Sequence, residues 1–413
     1  MAGETSRTTT RPLFFYGYVI VFVAIIVFMM TFGANYTFGV FFKPLSTEFG
    51  WTKAVTSSAY SILTISAGFL GIFAGRLTDR FSVRIVSIVM GCFLGIGYIL
   101  MSQINAIWQM YLIYALIIAP GLGGVWPALT SIVPRWFALR RGLMMGVAAS
   151  GVGIGTLVLP PVISRFIPVY GWRTSYIIMG AFALTVIVLA SLFLKRDPHQ
   201  TGQPLYGEDK LKPDRKPPET GTLSLRQVVR SHLFWMVCLI YFLFGFSLHT
   251  IMVHIVPHAI ETGIQPETAA ELLGIIGATT VVSKLVVGSV SDRLGIKLSL
   301  VYNFILLTAG LLWLQAATDL WTLRGFAIAF GFSYGGIMTL QSLLAAELFG
   351  LSSLGLIVGC VSFIYTIGSA TGPVLSGYIF DVTGSYKVAF LICAILEAAA
   401  LTVVLTTLGK RKS

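Results

Sequence analysis

Runs of about 20 apolar residues recur along the whole chain, each cut off by charged residues or by turn-forming residues such as Gly and Pro. A helix of about 20 apolar residues is long enough to cross the hydrocarbon core of a bilayer. Twelve segments meet that length, at residues 15–42, 54–74, 84–102, 107–132, 142–163, 174–194, 233–257, 267–290, 299–317, 321–345, 354–379 and 386–408. The first run is about 28 residues, longer than the apolar stretch of a secretory leader, and reads as a retained span. Between the sixth and seventh runs lies a polar segment, Lys195–His232, rich in Pro, Lys and Asp. It reads as a disordered or loosely helical linker. The pattern predicts an all-α polytopic membrane protein of twelve transmembrane helices in two pseudo-symmetric six-helix bundles. Its parts are a tail at 1–14, an N-terminal half at 15–194, a linker at 195–232, a C-terminal half at 233–408 and a tail at 409–413.

Composition agrees. Of the 413 residues, 56% are hydrophobic and only 11% charged, with a mean hydropathy of +0.86. Water-soluble chains carry about a quarter of their residues as charges. The net charge of +12 raises the question of nucleic acid, but the positive residues sit in short loops between apolar runs rather than on one basic face. Twenty-one of the 28 Lys and Arg fall on the side of the two termini and the linker. The opposite side holds Lys43, Lys53, Arg165, Arg173, Arg324 and Lys387. Positive-inside topology then places both termini in the cytoplasm and the protein in the cell inner (plasma) membrane. The four cysteines lie inside apolar runs without metal spacing and read as small buried hydrophobes.

The chain also repeats itself. A shift of 213 residues overlays Gly50 on Gly263, Asp79-Arg80 on Asp292-Arg293, Gly146 on Gly359, Gly155 on Gly368, Pro160 on Pro373 and Gly171 on Gly384. A shift of 212 brings Gly123 onto Gly335. Such duplication is a signature of transporters, whose site lies between the repeats near the midplane.

The loop Gly75-Arg-Leu-Thr-Asp79-Arg80-Phe-Ser-Val-Arg84, echoed at Gly288-Ser-Val-Ser-Asp292-Arg293, resembles the major facilitator signature. An Asp beside a helix end with clustered Arg predicts a charge latch made in one conformation. Membrane-edge anchoring is the alternative, and it leaves the repeated Asp-Arg pair unexplained. Within that superfamily, Arg135-Trp-Phe-Ala-Leu-Arg140-Arg141-Gly142-Leu-Met-Met-Gly146-Val-Ala-Ala-Ser150-Gly151 is similar to a stretch of the monocarboxylate transporter family and its bacterial organic-anion relatives. Phe41-Phe42-Lys43, Gly171-Trp172-Arg173 and Gly372-Pro373 support the same resemblance. It implies proton-linked movement of a short monocarboxylate such as lactate or pyruvate. Two positions depart from the animal members. Tyr36 stands where they carry a basic residue, and Thr280 and Lys284 stand where they pair Asp with Arg.

Lys284 is the one cation inside a span. An intramembrane ammonium costs at least about 2.5–3.5 kcal/mol unless it meets a cavity or a partner, and a bound carboxylate would be that partner. Snorkelling to the nearer membrane face is the other reading. His249 and Tyr36 occupy equivalent places on helices 7 and 1, which line the cavity in the superfamily. His249 is thus a candidate for substrate contact and proton coupling, against ordinary packing. Tyr334, before two glycines on helix 10, offers a polar edge for substrate, as do Gln341, Tyr114 and Trp126, or these make packing hydrogen bonds. His254, near the outer end of helix 7, reads as an outer gate or second proton site. With His258 it has metal spacing but no third ligand, so no metal is expected. Glu397, midway along helix 12, reads as a neutral buried acid or a proton relay. Asp381 is expected to cap the turn between helices 11 and 12.

Pro160 and the Gly372-Pro373 pair are candidate hinges for alternating access. No enzyme motif and no cofactor site is present in the sequence. The expected partners are a small organic anion, protons and lipid, with no nucleic acid, and a monomer as the working unit. The reading is a proton-coupled monocarboxylate carrier. The alternative is an organic-anion or dicarboxylate exchanger, for which one central cation is fewer than a dianion would ask.

Overall fold

The structure, a computed structural model, describes residues 15–137, 141–195, 198–201, 203, 225–349 and 354–407. Both tails and the centre of the linker lie outside that set.

The first span is two helices, α1 (Gly17–Tyr36) and α2 (Phe38–Phe49), which meet at Thr37 and run past the expected end at residue 42. Thr37 turns its hydroxyl back to the Ala34 carbonyl at 2.6 Å. Next come α3 (Lys53–Arg80), capped by the Thr52 side chain on the Val55 N–H, and α4 (Val83–Met101). The fourth span joins α5 (Ile107–Ile113) to α6 (Ala119–Trp136) through a π-helical turn at Tyr114–Ile118. Pro120 has no N–H for the preceding turn, and a widened turn relieves the missing bond.

The fifth and sixth spans lie in one run, α7 (Arg141–Ser191), broken where Gly171 takes φ 75° and ψ 161°. A side chain would strain that conformation, so glycine sets the corner. The second half follows as α8 (Leu225–Arg230), α9 (His232–Glu261), α10 (Pro266–Leu294), α11 (Ile296–Leu314), α12 (Leu320–Phe349), α13 (Leu354–Thr383) and α14 (Lys387–Thr407). Among the described residues eleven helices are long and apolar enough to cross a membrane, and the one at Leu143–Ser191 holds two crossings. The expected twelve are therefore accounted for.

The 213-residue shift holds in three dimensions. A Cβ on Gly155 would collide with the Met29 carbonyl of α1, and one on Gly368 with the Phe242 carbonyl of α9. These two contacts differ by that shift at both ends. Likewise a Cβ on Gly123 would strike the Ala67 carbonyl, and one on Gly335 the Thr280 carbonyl. The contacts between halves obey the same rule: Gly68 meets Thr366 where α3 crosses α13, and Gly153 meets Val281 where α7 crosses α10. Lipid tails solvate leucine as well as leucine does, so helices in a bilayer gain by bringing backbones close. Glycine is what permits it here.

The halves press together on the side opposite the termini, called here the far side. Asp381, at the end of α13, accepts from the Lys53 and Ala54 N–H groups at 2.8 Å each. It therefore caps the N-terminus of α3 in the other half rather than the turn between helices 11 and 12. The unpaired N–H groups and positive dipole end of α3 supply the attraction. Lys53 Nζ reaches Glu261 at 3.4 Å and lies over the Phe42 and Phe380 rings. Ser61 bonds the Ala370 carbonyl deeper in the same crossing.

Gly155→Leu and Gly368→Leu are expected to lower the thermal stability of the purified protein, each by about 1–3 kcal/mol of overpacking. Gly146→Ala and Gly359→Ala, whose added carbons meet nothing within 4 Å, are expected to leave the melting temperature unchanged or raised, because Ala outranks Gly in a helix.

Candidate functional site

Where α1, α3, α9, α12 and α13 converge, the two halves contribute a cluster of tyrosines around one histidine. Tyr36, the last residue of α1, and Tyr334, midway along α12, place their hydroxyls 3.3 Å apart across the boundary between halves. Both are nearly buried, at 5% and 6% exposure. Asn35 donates to the Tyr60 hydroxyl at 3.1 Å, while its own Oδ1 has no partner. His249 packs its ring 5.8 Å from Tyr60 and, edge to face, 5.7 Å from Tyr365. Its Nδ1 lies 3.3 Å from the Gly245 carbonyl. A carbonyl only accepts, so in the neutral ring Nδ1 carries the hydrogen and Nε2 is the acceptor. Among the described residues Nε2 has no hydrogen-bond partner. The cluster thus offers hydroxyls, an amide and an imidazole, and it carries no fixed charge.

Tyr36, Tyr334 and His249, named from the sequence as separate candidates, fall in this one cluster. Tyr60 and Tyr365 were missed, although the repeat marks them: Tyr60 stands opposite Leu273, and Tyr365 opposite Val152. Like Tyr36 and Tyr334, these are positions where the duplication is broken.

Lys284 lies elsewhere, on α10 where it crosses α7, and its Nζ approaches the Ala149 carbonyl at 3.4 Å. It is partly covered by protein, and among the described residues it has no acidic partner. Its equivalent in the first half is Gly71, packed on Gly123. The cation therefore sits at the second of the two inter-half crossings, where a carbonyl is its sole hydrogen-bond partner in this set.

His254 is completely buried at the far-side seal. Its Nε2 meets the Pro373 carbonyl at 2.8 Å and the Ser57 hydroxyl at 3.2 Å, and its Nδ1 meets the Tyr386 hydroxyl at 3.2 Å. The Pro373 carbonyl fixes the hydrogen on Nε2. Phe42 stands edge-on to the same ring at 5.3 Å. One side chain thereby touches α2, α3, α13 and α14. Gly372, on α13, would strike the Phe246 carbonyl of α9 if it carried a Cβ, so this candidate hinge is also a packing contact.

The other candidates are spread out. Trp126 packs on Phe28 and Phe32, Gln341 reaches Ser362 at 3.5 Å, and Tyr114 is buried against Phe38. Arg84 bonds the Leu194 carbonyl at the end of the sixth span, within its own half, and Arg293 is exposed. The side chains of Asp79, Arg80 and Asp292, the rest of the expected latch, lie outside the described residues. Pro160 and Pro161 sit inside α7, where the Leu157 carbonyl and the Pro161 ring face Gly274 of the other half. A separate cavity of about 380 Å³ opens on the far side between Lys43, Glu48, Ser164, Trp172 and Ile260. It contains none of the expected site residues.

Two six-helix halves related by a repeat, meeting in a polar cluster at their boundary, are the plan of a membrane transporter. The comparisons name the family. The Major Facilitator Superfamily model matches residues 22–313 and 237–413, and the chain belongs to that family. Among curated relatives it is 26% identical to human (Homo sapiens) monocarboxylate transporter 12, over 94% of this chain and 80% of that one. It is 27% identical to mouse (Mus musculus) monocarboxylate transporter 4, over 96% and 85%. Among solved structures it resembles a bacterial homologue of the human lysosomal transporter Spinster, inward-facing and occupied, at TM-score 0.74 and 14% identity, covering 96% of this chain and 99% of that one. A nucleoside transporter follows at TM-score 0.73 and 13% identity, covering 95% and 99%. These low identities speak for the fold alone.

The Tyr36–Tyr334 contact joins the halves, so its loss should favour separation on the far side. Tyr36→Phe and Tyr334→Phe are each expected to cost about 0.5–1.5 kcal/mol of the closed state, a shift of roughly two- to tenfold, and the double variant no more than either. Spin labels on Val55 and Tyr378 read the populations. Additive shifts would show that the two hydroxyls act independently.

Proposed function

We propose that this protein carries a short monocarboxylate of the lactate or pyruvate type together with a proton, by alternating access. The observation that carries the reading is Lys284: an ammonium within a span, at a crossing between halves, with no acidic partner among the described residues. An organic monoanion supplies the missing charge, and pairing lowers the cost of moving both through the low-dielectric centre. The curated relatives named as monocarboxylate transporters support the substrate class.

In this reading the substrate's carboxylate pairs with Lys284 at one crossing between the halves, and the Tyr36, Tyr334 and His249 edges contact the substrate at another point on its path. Tyr60 and Tyr365 hold the His249 ring in place. His249 accepts the proton on Nε2, and His254 governs the far-side seal. The seal here is made of weak parts, a helix cap worth about 0.3–1 kcal/mol and an ion pair of about 0–1 kcal/mol. A gate built that way opens without a large barrier. The superfamily-like Asp-Arg loops, with Asp79, Arg80, Arg84, Asp292 and Arg293, act as the latch on the termini side, taken to be cytoplasmic. Pro160, Gly372 and Pro373 absorb the bending.

Labelled lactate, acetate, oxalate and a neutral solute, offered to proteoliposomes with and without a pH gradient, test the whole reading. Acid outside is expected to drive accumulation of lactate but not of the neutral solute. Oxalate uptake that exchanges without pH dependence would establish the dicarboxylate exchanger instead. Lys284→Ala is expected to lower lactate uptake about a hundredfold, and Lys284→Arg to retain much of it, since either cation pairs with a carboxylate. Full activity in Lys284→Ala would remove the carboxylate site. Pro373→Ala, which leaves Gly372 seated on α9, is expected to slow turnover while binding persists.

A further inference from the structure

A second buried polar row runs along the seam between α9 and α14, away from the central cluster. On α9 it comprises Ser247, Thr250, His254 and His258, spaced three or four apart and so on one face of the helix. On α14 it comprises Tyr386, Cys393 and Glu397, with Tyr386 just ahead of the first turn. The groups fall into two sets, with His254 one helical turn from Thr250. Tyr386 bonds His254 Nδ1 at 3.2 Å, Thr250 bonds Ser376 of α13 at 3.2 Å, and Cys393 lies against both Thr250 and Ser247. Ser247 in turn stands beside Glu397.

Glu397 ends the row. It is completely buried, and neither of its oxygens has a hydrogen-bond partner. No charge is at hand either. The charged or end-placed groups on the helices packed around α14 are His232 and Glu261 of α9, Lys297 of α11, Asp381 of α13 and Lys387 of α14, all within the first or last turn of their helix. Of the other titratable groups, Tyr302 and Tyr378 are 56% and 59% exposed. His249 and Tyr365 face the central cluster, Tyr241 bonds the Ile337 carbonyl, and Cys238 lies near Cys360. A lone carboxylate in such surroundings costs several kcal/mol more than the neutral acid. The same helix face touches the far-side seal through His254 and Ser57.

We propose that Glu397 is a proton-binding site loaded from the far side along this row. A proton arriving at Tyr386 and His254 is relayed by the Thr250, Ser376 and Ser247 hydroxyls and the Cys393 thiol, each giving up its own proton as it takes the next. The Glu397 carboxylate then becomes the acid. When it is charged, α9 and α14 must part to admit water, and α9 carries the far-side seal with it. This deepens the proton-coupled reading and rests on it for its role in transport, with Glu397 a second proton site, outside the substrate cluster that holds His249.

Infrared difference spectra of the full-length protein in lipid, recorded as pH is raised, test the site without any substrate. The wild type is expected to show a carboxylic-acid C=O band that bleaches with rising pH, and Glu397→Gln to lack it. Glu397→Asp is expected to keep the band at a shifted frequency, which guards against a misfolded Gln variant. In proteoliposomes, lactate accumulation driven by acid outside is expected to fall about a hundredfold or more in Glu397→Gln. Ser247→Ala is expected to slow the bleaching. A spectrum unchanged by Glu397→Gln, or accumulation equal to wild type, would overturn the assignment. If the wild type itself shows no accumulation driven by pH, the symport reading fails, while the infrared band still decides whether Glu397 binds a proton.

Discussion

Inside a bilayer, burying leucine against leucine gains little over burying it in lipid, so the fold depends on how closely backbones can approach. The contacts that set the architecture are glycines seated on carbonyl groups: Gly155 on Met29, Gly368 on Phe242, Gly123 on Ala67 and Gly335 on Thr280. Each fixes the distance between two helices and leaves no room for a side chain. Because they come in pairs related by the repeat, they build the same frame twice. The crossings between halves, Gly68 with Thr366 and Gly153 with Val281, use the same device at the surface where the halves meet.

The frame and the far-side seal differ in their chemistry. The frame uses dispersion over close backbones, which is short-ranged and hard to exchange. The seal adds the Asp381 cap on α3, the Lys53–Glu261 pair and the His254–Ser57 bond. Its polar groups can turn to water when the halves separate, so breaking them leaves nothing unsatisfied for long. Stability and movement are thereby assigned to different chemistry on the same helices.

Polar groups cluster where the two halves differ. Tyr36 opposes His249, Tyr60 opposes Leu273, Tyr365 opposes Val152 and Lys284 opposes Gly71. The frame is symmetric, and the polar side chains at its centre are not. Glu397 belongs to neither group by position. It lies in a peripheral seam, and its burial without a partner is the feature that the frame alone does not require.

The sequence by itself determined the number of crossings, the repeat and the family, because span length, loop charge and glycine spacing are local properties of the chain. It also nominated Tyr36, Tyr334 and His249, since breaks in a repeat can be read by alignment of the chain with itself. It assigned Asp381 the wrong helix end to cap, because a carboxylate at a helix end can cap any N-terminus within reach. Which one is within reach depends on how the halves dock. Only the tertiary structure decided that docking, together with the company of Lys284 and the meeting of His254 with Ser57, Pro373 and Tyr386. Those contacts join residues 119 to 197 positions apart in the chain, and nothing in local pattern or composition encodes which far-apart surfaces will touch.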